Sequence, residues 1–223
     1  MRLNAAAAAA LMLVAAAAPA QAEERRLALP GFDRIRLSGP VTATVASGRG
    51  TSIRATGDGR ALQDMVARVD GRLLVVTATG DAPVTLAITT GDVAGVQLAG
   101  PATLRVDRVR GDRVRLSAEG ASRLEVGQMR VDRLDLSATG SARVSAAGTA
   151  TTAIIAAQGS AAVDAVRLQT ERLTIAAQGD GEIRAAARQD ARISAEGSGA
   201  VTVTGNPRCS VTQRGAGAVR CGR

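Results

Sequence analysis

The chain contains no histidine, no tryptophan, no tyrosine and no lysine, and Phe32 is its one aromatic residue. Each gap removes a class of function. Without histidine, a serine nucleophile lacks its usual general base, and no G-x-S-x-G elbow stands out. Two cysteines alone are too few ligands for a metal centre. Without Trp or Tyr there is no platform on which nucleobases or sugar rings could stack, so nucleic acid is not an expected partner. No run beyond the first residues is apolar enough for a transmembrane helix, which needs about 20 strongly apolar residues. No Pro- or Ser-rich linker divides the chain, so residues 23–223 are expected to form one domain.

What is present begins with a leader. Arg2 supplies a positive start, Ala5 to Ala18 are apolar around Leu11, Met12, Leu13 and Val14, and Ala20-Gln21-Ala22 reads as an A-x-A cleavage site. Residues 1–22 are therefore expected to be a signal peptide. No Cys follows the apolar stretch, so lipid anchoring there is not expected. All 28 basic residues are Arg, against 20 acidic ones. Without Arg2 the exported chain carries 27 basic and 20 acidic residues, a net charge of +7. The Arg residues are interleaved with Asp and Glu, as on a solvated face. Weak attraction to envelope polysaccharide, lipopolysaccharide or another anionic surface polymer is the other reading. In an exported chain, Cys209 and Cys221 are expected to form a disulfide.

The dominant feature is a repeat. Gly100, Gly120, Gly140, Gly159, Gly179, Gly197 and Gly215 follow one another at spacings of 20, 20, 19, 20, 18 and 18. A fixed period near 20 marks a solenoid, with one coil per repeat. Four residues before each Gly stand Val96, Leu116, Leu136, Ile155, Ile175, Ile193 and Val211. Four after stand Leu104, Leu124, Val144, Val163, Ile183, Val201 and Val219. Ala occupies most of the positions two before. The apolar set thus falls at even offsets, which is the period of strands with one buried face.

These features predict an all-β parallel β-helix or β-solenoid with Gly-centred coils of about 20 residues. Each coil reads as strand, Gly corner, strand and a more variable return. The abundance of Ala predicts a thin lumen. Residues 91–221 form the regular repeats and 27–90 a less regular N-terminal part. There RALQDMVARV (60–69) places Leu62, Met65, Val66 and Val69 at helical spacing, which predicts a short helix capping the first coils. Cys209 and Cys221 lie six before and six after Gly215, so both should point inward and close the last coil. The pairs Asp112-Arg113, Asp132-Arg133 and Glu171-Arg172, with Asp190 and Arg192, recur at the coil period. They are expected either as exposed charge ladders, each pair contributing about 0–1 kcal/mol, or as a binding row.

The Phe32-Asp33 opening with Ser38-Gly39, the Gly57-Asp58 step before a short helix, the serial Gly corners and Gly205-Asn206-Pro207 resemble the family called putative auto-transporter adhesin, head GIN domain. The resemblance spans residues 28 to 221. Relatives write G-S-G repeatedly; here Gly197-Ser198-Gly199 alone is literal. The resemblance implies an exported β-solenoid, and its name implies adhesion; it carries no catalytic residues onto this chain and no cofactor. Two functions follow as expectations. The first is a non-catalytic envelope or surface β-solenoid. The alternative is a polysaccharide-active β-helix enzyme, which would need clustered carboxylates; those here are scattered singly, and Gly179-Asp180-Gly181-Glu182 is only one calcium-like motif. Protein recovered from outside the cytoplasm should have Glu23 as its N-terminus; N-terminal sequencing that reads from Met1 would show that the leader is retained.

Overall fold

The computed structural model describes residues 23–222, so the expected signal peptide lies outside them. The chain runs through β1 (Glu23–Leu27), β2 (Arg34–Ser38), β3 (Val41–Ser47) and β4 (Ser52–Gly57), then α1 (Gly59–Asp64). It continues through β5 (Met65–Asp70), β6 (Leu73–Ala78), β7 (Val84–Thr90) and β8 (Gly95–Ala99). Five long strands follow: β9 (Thr103–Gly120), β10 (Arg123–Gly140), β11 (Arg143–Gly159), β12 (Ala162–Gly179) and β13 (Glu182–Gly197). The chain ends in β14 (Ala200–Gly205), β15 (Arg208–Arg214) and β16 (Ala218–Cys221). All sixteen strands join one sheet. The fold is the expected all-β parallel β-solenoid.

Each long strand wraps a whole coil in three sides. In β10 the pairing to β9 runs over 123–126, 128–131 and 133–140, with Gly127 and Asp132 dropping out of the ladder. The inward phase shifts at those two corners. Leu124 and Val126, then Met129 and Val131, then Leu134, Leu136 and Ala138 are all buried. The variable return expected after each Gly-flanked strand pair is therefore itself a strand, the second side. It was hard to read because its length changes. Gly127 and Gln128 of one coil stand against the single residue Ala147 of the next, which accounts for the spacing of 19. Between β12 and β13 three residues are lost at that corner and one is gained at the next, which accounts for 18.

The N-terminal part obeys the same rule with one inversion. Ile35, Leu37, Ala43 and Val45 stand around Gly39 at the offsets −4, −2, +4 and +6, and all are buried. β2 pairs in parallel with both β6 and β8, and β3 with both β7 and β9. The coil made first in sequence thus sits between the β6–β7 coil and the regular stack.

The cap differs from the sequence expectation. α1 is six residues long and N-capped by Asp58, whose Oδ1 accepts from the Ala61 amide at 2.7 Å. It buries only Ala61 and Leu62. The predicted helix stops at Asp64 because Met65–Asp70 pairs antiparallel with β6 through a tight turn at Gly71, which has a φ of 58°. Met65 is buried and Ala67 and Val69 are half-buried, whereas Val66 is 59% exposed. At the β6–β7 end of the stack the edges are covered by antiparallel strands: β5 on β6, then β4 on β7 and β1 on β4. Edge strands carrying charges, as in Glu23-Glu24-Arg25-Arg26 of β1, discourage chain-to-chain pairing.

The corner glycines are tested most sharply by Gly197. Its φ is 115°, and a Cβ there would stand 2.3 Å from the Gly179 carbonyl oxygen. Gly50, at φ 84°, has nothing within 4 Å of the same atom. Gly50→Ala should cost about 1 kcal/mol through backbone strain alone. Gly197→Ala should cost roughly 3 kcal/mol or more, because backbone must move as well. Urea melts of the two variants would decide; equal losses would refute the stacked corner.

Candidate functional site

The seven corner glycines fall in one column, all with φ between 74° and 115°. Gly120, Gly140, Gly159, Gly179 and Gly197 follow each other in direct register. Two residues further on, Ala102, Ser122, Ala142 and Ala161 are buried against the corner. From the next coil this position becomes Gly181, where a Cβ would lie 2.2 Å from the Ala161 carbonyl oxygen. That crowding explains the G-x-G form of the last three corners.

The lumen beside these corners is full. The space left near Ala157, Ala177, Ile183 and Ala195 amounts to about 10 Å³, room for one water at most. Thr90 and Thr170 are buried and donate to the carbonyl oxygens of Phe32 and Ala186 at 3.0 and 2.7 Å.

The carboxylates outside are scattered, and six of them, Glu24, Asp33, Glu125, Asp135, Asp190 and Glu196, are held by arginines among the described residues. Arg105 meets Glu125 at 2.9 Å, Arg113 and Arg133 share Asp135 at 3.3 and 3.1 Å, and Arg208 meets Asp190 at 2.9 Å. The periodic acids Asp112, Asp132 and Glu171 make no ion pair among the described residues; on the third side Asp135, Asp190 and Glu196 do. Arg192 likewise makes none. Among the described residues no three His, Cys, Asp or Glu side chains gather as a metal site would require; Asp180 and Glu182 stand exposed.

The second side carries a different pattern. Arg108, Arg110 and Arg130 stand outward there, and none has a carboxylate partner among the described residues. They line a shallow hollow of about 270 Å³ with Gln128, Gly148 and Thr149. A neighbouring hollow of about 540 Å³ continues around the corner past Arg108, Gln128, Ser145 and Arg167. These arginines escaped sequence reasoning because the second side does not keep a fixed distance from the corner glycine.

The family model for the putative auto-transporter adhesin, head GIN domain, matches residues 31–207. The chain belongs to this family. Solved structures share the fold of this head GIN domain. A putative adhesin from Bacteroides fragilis is 17% identical with a TM-score of 0.84, over 90% of this chain and 96% of its own. A putative adhesin from Parabacteroides merdae is 15% identical with a TM-score of 0.71, over 91% and 96%. A putative lipid binding protein from Parabacteroides distasonis is 18% identical with a TM-score of 0.68, over 91% and 97%. No curated protein matches the chain.

The last coil of this GIN domain holds the Cys209–Cys221 disulfide, with Cα atoms 6.2 Å apart. Cys209 stacks on buried Ala191 and Cys221 on buried Val203, so both continue lumen rows as expected. They staple the end without sealing it. β15 is exposed along its whole length, and Val211, stacked on Ile193, is 45% exposed. A 12-residue separation implies that reduction should cost about 3 kcal/mol in the loop-entropy account. Hydrogen exchange after thiol reduction should show loss of protection in β15 and β16 first; unchanged protection there would contradict the staple.

Proposed function

We propose that this chain is a non-catalytic, exported β-solenoid of the cell envelope or surface that works by adhesion or by binding envelope material. One observation carries the reading: the lumen is packed solid, so recognition falls to the outer faces. These faces present polar rungs at a regular rise, which suits many weak contacts along a polymer. Family membership supports the adhesive role.

Two other readings fit less well. The Parabacteroides distasonis relative is described as a putative lipid binding protein, but the space beside the last corners, about 10 Å³, has no room for an acyl chain. A polysaccharide lyase or glycosidase needs an acid and a base placed together, and the carboxylates here are dispersed among arginines. In the test, a tagged copy is fractionated from cells, and the purified protein is applied to envelope fractions and a glycan array. Export with retention on at least one envelope component is the expected result. Failure to bind any envelope component would remove adhesion, and turnover of an acidic polysaccharide would remove the non-catalytic reading.

A further inference from the structure

We infer that the second side of the solenoid, around Arg108, Arg110, Arg130 and Arg167, is a binding track for a linear anionic polysaccharide. The inference rests on the envelope-binding reading and names the surface and ligand chemistry within it.

The charge distribution between the sides is the first ground. On the third side Arg113, Arg133 and Arg208 pair with Asp135 and Asp190; Arg172 and Arg192 make no ion pair among the described residues, but the hollow they line with Arg208, of about 640 Å³, also contains Asp190. On the first side a hollow contains Arg123, Arg143 and Arg184, but Glu125, Asp164 and Glu182 line it too. The 270 Å³ hollow on the second side has Arg108, Arg110 and Arg130 and no carboxylate. The adjoining hollow is lined by Arg108 and Arg167 together with Asp107 and Glu125, and Glu125 is already held by Arg105 at 2.9 Å.

The second ground is register. Arg110 and Arg130 are direct partners on neighbouring strands, about 4.8 Å apart. Like charges placed directly opposite destabilise a sheet, and neither arginine makes an ion pair among the described residues. Arg108 is two residues from Arg110 along the same strand, so its side chain stands on the same face about 7 Å away. The track therefore offers cations at short regular steps, matched to a chain with one negative charge per sugar or so. Below them the coil loses a residue at Ala147-Gly148 and Ser145 lies in the hollow, so a polymer can settle while Arg167 reaches it from the next coil.

The third ground separates polysaccharide from other polyanions. Gln128, Thr149 and Gln169 share the face and suit hydroxyl groups. Phe32, the one aromatic, is buried, so nucleobases find nothing to stack on. The large exposed hydrophobics among the described residues, Val66 and Val211, lie on β5 and β15, away from this side, so it lacks residues to insert into a membrane.

The test uses the exported chain in two charge-matched triple variants. One is Arg108→Gln with Arg110→Gln and Arg130→Gln; the other is Arg123→Gln with Arg143→Gln and Arg184→Gln. Binding is measured calorimetrically at low and high salt to polygalacturonate, dextran sulfate and neutral dextran, alongside phosphatidylglycerol vesicles and a single-stranded oligonucleotide. The wild type should bind one or both anionic glycans, more weakly at high salt, and leave neutral dextran unbound. The second-side variant should lose at least about tenfold in affinity, from three charge-assisted contacts removed, while the first-side variant changes less than about twofold. The second-side variant's thermal midpoint should hold or rise, because the Arg110–Arg130 like-charge stack has gone. No binding to either anionic glycan, or equal losses in both variants, overturns the track. Tighter binding of vesicles or oligonucleotide overturns the ligand class. Retention of the second-side variant on an envelope fraction that also contains no acidic glycan would leave the envelope reading standing without this site.

Discussion

Register between successive coils is the constraint on which the rest of the structure depends. Each coil lies about 4.8 Å above the last and repeats its corner, so Gly179 sits over Gly159 and Gly197 over Gly179. A Cβ on either upper residue would enter the carbonyl oxygen below. Corners this tight draw the three sides close together. The lumen then accepts Leu, Ile, Val and Ala but has little use for an aromatic ring. The absence of Trp and Tyr, which first served to exclude functions, is also a measure of the lumen's width.

With the inside committed to stacking, the outer positions are nearly free to vary, and they do so unevenly. Arg113 and Arg133 close on Asp135, and Arg208 closes on Asp190. Such exposed pairs add little stability. Their consequence is distribution: part of the positive charge on the third side is paired, whereas Arg110 and Arg130 on the second side make no ion pair among the described residues.

The fold was legible where distance from the corner glycine is constant. Leu116 and Leu124 flank Gly120 on the third and first sides, whose lengths hold from coil to coil, so their rows showed at fixed offsets. The second side was obscured because its corners gain and lose residues, as at Ala147 and between Ala165 and Gln169. The arginine track was hidden for the same reason. The Gly39-Pro40 corner repeats Gly100-Pro101, but 61 residues separate them, and β4, α1 and β5 fill the gap. Leu62, Met65, Val66 and Val69 carried a helical spacing, yet Asp70-Gly71 next to them is a hairpin signal. The open edge of β6 supplied the partner that decided it. At the far end the inward direction of Cys209 was readable, whereas its exposure followed from the lack of a coil above it.

The place of the β2–β3 coil has a consequence for the order in which the molecule assembles. Synthesis delivers β2 and β3 early, but neither has a neighbour until residues 73–106 arrive on both flanks. The middle coils face no such wait, since each completes on the one just made, across a short loop with a small closure cost. Growth therefore favours the centre as its seed, and the N-terminal section behaves as a clasp that shuts afterwards. A fragment lacking residues 60–90 would leave β2 and β3 with one bare edge each, turning a terminus into a site for mispairing.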